Sequence, residues 1–239
     1  MTQQFYVSPE QLMKDRADFA RKGIARGRSV VVISCQDGIA LVAENPSPSL
    51  HKIGEIYDKI AFAAVGKYNE FESLRQAGVR YADVRGYSYD REDVTARGLA
   101  SVYAQSLGAV FTAEQKPFEV ELAVAEVGAS PEQDHLYRLT FDGSIADEHG
   151  FIVMGGQAER VSAVIADGWR SSLRFADAVR LAIGGLATGT EQGESGATLP
   201  AKAVEVAVLD RQSETARGFR RAFRRLNDAD ITALLAEEA

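Results

Sequence analysis

The sequence predicts an α+β fold in which two antiparallel sheets stack on one another and helices cover both outer faces. Two observations predict it. Strand-like runs come in consecutive groups, which favours antiparallel pairing over repeated βαβ units. Pairs of amphipathic helical segments separate those groups, so the order is helix, strands, two helices, strands, two helices, strands, helix. No composition shift or internal repeat marks a boundary, and 239 residues suit one large domain, read as spanning 1–239.

The first helix opens at Ser8-Pro9-Glu10-Gln11, an S-x-x-Q capping box with proline at the first helical position. Met13, Ala17, Ala20 and Ile24 fall on one face, and Arg16, Arg21, Lys22, Arg26 and Arg28 surround it. Gly23 and Gly27 weaken its end. The period then switches. Ser29–Ser34 is a β-branched run, Asp37-Gly38 reads as a hairpin turn, and Ile39–Ala43 runs back. Asn45–Ser49 is a proline-rich loop. Ile53, Ile56 and the apolar run Ile60–Val65 give two more strands, the second buried on both faces. Tyr68, Phe71, Leu74, Gly78 and Ala82 mark a helix. After Arg85-Gly86-Tyr87 a second helix runs from about Asp93 to Glu114, where Pro117 stops it. Phe118 to Val124 alternates as a half-buried strand. Leu136–Phe141 is a strand, Asp142-Gly143 a turn, and Phe151–Met154 a strand ending at Gly155-Gly156. Two helices follow, with Val161, Val164, Ile165 and Trp169, then Phe175, Val179, Ala182, Ile183 and Leu186, facing inward. Thr188–Pro200 reads as a loop, Val204, Val206 and Val208 as a strand, and Phe219–Leu226 as a basic strand. Asn227 caps a short helix carrying Ile231, Leu234 and Leu235.

Composition excludes several classes. A net charge of −7 argues against nucleic acid as the partner. The basic first helix is read as a solvated face rather than a membrane anchor. No segment approaches the ~18 apolar residues of a membrane span, and Met1–Val7 carries no signal-peptide pattern, so the expected location is cytoplasmic. Cys35 is the only cysteine and reads as structural, since no histidine lies nearby in sequence to activate it. His51, His135 and His149 are scattered through expected loops and suggest no metal site. Asp142-Gly143 is explained by turn chemistry, Asp147-Glu148 by solvation, and Gly155-Gly156 by close packing. No cofactor is expected.

Several pieces carry a family resemblance: Ala20–Arg26, Val42-Ala43-Glu44-Asn45-Pro46, Gly66-Lys67-Tyr68-Asn69-Glu70-Phe71, Arg85-Gly86-Tyr87, Val102-Tyr103-Ala104-Gln105 and Asp142–Glu148. They lie in register over nearly the whole chain. Together they resemble the α subunits of the proteasome core particle, in their actinobacterial form. The resemblance implies the four-layer αββα sandwich of N-terminal-nucleophile hydrolases, with residues 1–8 as a gating tail, 9–26 as an N-terminal helix and 29–235 as the core.

In that superfamily catalysis needs a Thr, Ser or Cys at a free N-terminus, its own α-amino group serving as base. In register with the proteasome β pattern, that position here is Arg28, which has no nucleophilic atom. Glu44 takes the place of the β subunit's strand-end aspartate. The expectation is therefore no catalytic residue in this chain, the peptidase threonine belonging to the β subunit. The alternative is a self-processing peptidase that cleaves after Arg28 and uses Ser29. Against it, the capped helix upstream has an apolar face to bury and does not look disposable.

What remains is surface work. The resemblance implies seven-membered α rings capping β rings in an α7β7β7α7 particle. Partners are then neighbouring α subunits, the β subunit, a ring-shaped ATPase or other activators, and unfolded substrates tagged with a prokaryotic ubiquitin-like protein. The gate is assigned to Thr2, Gln3, Gln4, Phe5, Tyr6, Val7, Ser8 and Pro9, although the Tyr-Asp-Arg found in many relatives is absent from this tail. Lys52 matches the lysine that pairs with the C-terminal carboxylate of an activator tail, a charge-assisted contact. Gly27 and Gly66 match glycines lining the same pocket.

Overall fold

The computed structural model describes residues 8–189, 199–212 and 221–236. The gate assignments Thr2 to Val7 lie outside them, as do most of the Thr188–Pro200 loop and the start of the basic Phe219–Leu226 strand. Among the described residues there are six α-helices and ten strands. The helices are α1 (Pro9–Ala25), α2 (Tyr68–Ser88), α3 (Ala96–Ala113), α4 (Ala158–Gly168), α5 (Phe175–Thr188) and α6 (Asp228–Ala236). The strands are β1 (Val30–Cys35), β2 (Gly38–Glu44), β3 (Ile53–Tyr57), β4 (Ile60–Gly66), β5 (Val120–Glu126), β6 (His135–Leu139), β7 (Ile145–Glu148), β8 (Phe151–Met154), β9 (Val204–Asp210) and β10 (Phe223–Arg225).

The strands form two five-stranded sheets, in the orders β10-β9-β2-β1-β8 and β3-β4-β5-β6-β7, and every pairing is antiparallel. Side-chain size sorts the layers. On β4 and β5 the small residues Ala61, Ala63, Ala123 and Ala125 face the other sheet, where they meet Val32, Leu41 and Leu209. Phe62, Leu122 and Val124 point the opposite way, onto α2 and α3 through Leu74, Leu99 and Tyr103. Val31, Ile33 and Val42 face α4 and α5 through Val161, Ile165, Val179 and Ile183. Three apolar layers between four structural layers make the αββα sandwich the sequence predicts.

Local chemistry explains most boundaries. Ser8 Oγ accepts the Gln11 amide N–H at 3.2 Å and starts α1. Only half of the capping box forms, because the Gln11 side chain donates forward to Asp15 at 2.7 Å. Of the expected α1 face, Ala20 and Ile24 are buried and Ala17 packs at the edge of the inter-sheet core. Asp142 Oδ1 accepts from Ser144 N at 3.1 Å, as its turn requires, and Asn227 Oδ1 caps α6 through Asp230 N at 2.9 Å.

Five expectations are corrected. The first hairpin turns on Gln36–Asp37, and Gly38 already pairs with Cys35. Arg85-Gly86-Tyr87 does not break the helix. α2 runs to Ser88, with Gly86 giving room to the Tyr57 hydroxyl and Arg85 Nε donating to Asp93 O at 3.0 Å. α3 starts at Ala96 behind a Thr95 cap, later than Asp93. β5 is buried on both faces up to Ala125: Glu121 is 6% exposed and pairs with Arg138 at 2.5 Å. Ile145–Glu148, given no strand in the sequence reading, is the exposed edge strand β7.

Candidate functional site

The site lies where α1 hands over to β1, beside the start of β3 and the end of β4. The Gly27 amide donates to Ile24 O at 2.8 Å, and its carbonyl accepts from Gly156 N at 3.1 Å. Gly66 closes β4 with φ of +108°, a conformation that L side chains rarely adopt. A Cβ on Gly66 would sit 1.9 Å from Glu119 O, and a Cβ on Gly27 would sit 3.3 Å from Gly66 N. The two glycines therefore bring two backbones together at close range. Lys52 joins them: its Nζ donates to Arg28 O at 2.7 Å, the carbonyl one residue past Gly27. So the three sequence-assigned pocket residues converge on one place.

Lys52 is half-buried, and no carboxylate comes within ion-pair distance of its Nζ among the described residues. Burial is the largest influence on it and disfavours the ammonium. Glu44 opposes this, Arg28 reinforces it and Glu205 opposes it. The net effect holds Lys52 down at about 8. Such an ammonium has spare donor capacity and gains from any carboxylate that reaches it.

Arg28, two residues ahead of β1, meets Glu44 Oε1 through its Nε at 3.2 Å. Ser29 is only 5% exposed and is packed against Gly155. The chain upstream of it puts Ala20 and Ile24 into the inter-sheet core. Cleavage after Arg28 would strip that end of the sandwich of its cover.

The remaining candidates take structural places. Cys35 is buried, its thiol pushed up to about 11 by burial, and Sγ lies 3.1 Å from Gly38 O. His51, His135 and His149 are exposed. His135 heads β6 and stacks on Tyr137, and His149 meets Trp169 edge-on. Among the described residues no three His, Cys, Asp or Glu side chains converge to hold a metal, and no helix is long and apolar enough to cross a membrane. Ser8 and Pro9 are exposed at the head of α1.

Two features escape sequence reasoning. Glu205 on β9 bonds the main chain of Lys52 and Ile53 at 2.9 and 3.3 Å. Lys116 joins Glu70 and Glu119 at 2.7 and 2.9 Å, and Glu70 Oε2 accepts from Glu119 N at 2.7 Å, tying α2 to β5 beside Gly66. The available clue to Glu205 is its place on the face of β9 that also carries Ala207 and Leu209.

Comparison with known proteins identifies the family. The family model described as proteasome subunit matches residues 24–208. The chain is similar to the proteasome subunit alpha of Pseudarthrobacter chlorophenolicus, with 85% identity over 99% of this chain and all of that one. Identity to the same-named protein of Arthrobacter sp. strain FB24 is 81% over the full length of both. For Kineococcus radiotolerans it is 62% over 99% of both. The chain belongs to the proteasome subunit family, among its α-type members.

Proposed function

We propose that this chain is a non-catalytic subunit that builds the outer rings of a proteasome core particle and controls access to it. Seven copies form a ring, two such rings cap the β rings, and the peptidase threonine is the β subunit's. Residues 1–8 act as the gate at the ring axis, α1 as the contact element and 29–235 as the core. The particle works in the cytoplasm on unfolded proteins tagged with a prokaryotic ubiquitin-like protein and delivered by a ring-shaped ATPase. Lys52, between Gly27 and Gly66, receives the C-terminal carboxylate of that ATPase's tails. One tail binds weakly, and several on one ring gain from effective concentration.

The observation that carries this reading is the Lys52 ammonium, half-buried, bonded to the neutral Arg28 carbonyl and set beside Gly27 and Gly66. The test is Lys52→Ala in the assembled particle. The expected result is a particle of unchanged composition that no longer binds the ATPase tails. Tail binding equal to that of the unmodified particle would remove Lys52 from the mechanism.

A further inference from the structure

Lys52 stands one residue ahead of β3, the edge strand of its sheet. The end of an edge strand frays unless its backbone groups are tied. One tie is ordinary: Lys52 O accepts from Ala64 N at 3.0 Å. The others come from side chains of the opposite sheet, among them Arg225, whose Nη2 donates to Ile53 O at 2.7 Å. Glu205, 7% exposed, points between the sheets. Its Oε2 accepts from Lys52 N at 2.9 Å and its Oε1 from Ile53 N at 3.3 Å. Oε2 also accepts from Asn45 Nδ2 at 2.9 Å, at the other end of the loop, while Oε1 meets His51 Nδ1 at 3.3 Å and the Arg225 guanidinium. Asn45 Nδ2 reaches across the loop to Leu50 O at 2.8 Å as well.

We infer that Glu205 is the positioning residue for the Lys52 contact: its carboxylate clamps both ends of the 45–52 loop and holds the lysine where its Nζ reaches the Arg28 carbonyl next to Gly27. This rests on the docking reading above. A buried carboxylate is costly to keep ionised, and an apolar residue would serve packing alone at lower desolvation cost. Here the carboxylate is bonded by groups from the 45–52 loop, β3 and β10. It is also one of the charges around the Lys52 amine, with Glu44 ending β2, Arg28 preceding β1, and His51 and Arg225 beside Glu205 itself.

The experiment uses the particle assembled from this chain and its β subunit. The probe is a fluorescent peptide carrying the C-terminal residues of the ring ATPase, as free acid and as C-terminal amide. Anisotropy gives its affinity on both sides of pH 8. Glu205→Gln is expected to weaken free-acid binding at neutral pH by about tenfold, the equivalent of one lost charge-assisted contact. It also removes a negative charge that favours the ammonium, so the pH at which binding fades moves down. Glu205→Asp keeps the charge and with it the original pH midpoint. A variant whose thermal stability falls while affinity and midpoint stay unchanged would overturn the inference. If Glu205→Gln does not assemble, Glu205→Asp and amide hydrogen exchange at Lys52 and Ile53 in the unmodified particle decide. Slow exchange there supports the clamp, and exchange at the rate of an open loop overturns it. An unmodified particle that fails to distinguish acid from amide peptide defeats the docking reading itself.

Discussion

Replacing Gly66 by alanine separates the two glycines of the site. At φ of +108° an alanine is strained whatever the space around it, and its Cβ would stand 1.9 Å from Glu119 O, a backbone atom that cannot turn aside. That oxygen accepts the Lys67 N–H at 2.9 Å, the bond that ties the junction of β4 and α2 to the residue ahead of β5. The strained backbone costs about 1–3 kcal/mol, and losing the Lys67 bond costs about 0.5–1.5 kcal/mol. The stiffer unfolded chain returns about 0.4–1 kcal/mol. The midpoints of these ranges leave a net loss of about 2 kcal/mol, which in a chain of this size lowers the melting temperature by about 4–8 °C. Gly27→Ala meets milder neighbours, Ile24 O at 3.0 Å and Gly66 N at 3.3 Å, at a φ outside the left-handed region. Its main effect should fall on tail docking. Thermal unfolding of both variants at equal protein concentration is the assay, since subunit association contributes to apparent stability. A Gly66→Ala protein that melts within a degree of the unmodified one would refute the reasoning.

Four further outcomes follow. Tail docking should weaken as pH rises through about 8, because the ammonium is the form that binds. The loss approaches about tenfold per pH unit beyond that point, and pH-independent affinity across that range would contradict it. The same depressed value means that folding disfavours the charged lysine. That destabilisation is present in full below about 8 and relieved as pH climbs towards the ordinary 10.5. Asp134→Asn should cost about 3 kcal/mol or more in urea unfolding. It disturbs the 7%-exposed Arg211, whose guanidinium bonds both Asp134 oxygens at 2.7 and 2.9 Å and ties β9 to the 128–134 loop. Tyr103→Phe should leave the melting temperature unchanged or raise it, since the buried Tyr103 hydroxyl has no hydrogen-bond partner among the described residues; a drop of several degrees would show a partner there.

The fold was legible wherever one residue type had a single physical use. Ser8 and Pro9 start α1 as their chemistry requires, and the unbroken apolar run of β4 is buried on both faces. Reading failed where tertiary contact overrides a local rule. Gly86 looks like a helix break, but in the structure it makes room for Tyr57. Glu119 and Glu121 give β5 an alternating pattern, yet Glu121 is buried because Arg138 on β6 neutralises it. Ile145-Ala146-Asp147-Glu148 carries no periodicity because an edge strand with an exposed surface needs none. At the proposed site, a family pattern pointed to Lys52 and the two glycines, and the structure brings the three together. Glu205 was not, because it lies 153 residues beyond Lys52, and only the stacking of the sheets brings them together.

The most direct measurement is native mass spectrometry of the chain alone and co-expressed with its β subunit, which reads processing and assembly at once. A chain that keeps α1 and enters a mixed particle of α and β rings is the predicted result. A chain trimmed to begin at Ser29 that cleaves peptides without a partner would contradict the account: α1 would then be a propeptide, and the space between Arg28, Glu44 and Lys52 an active site.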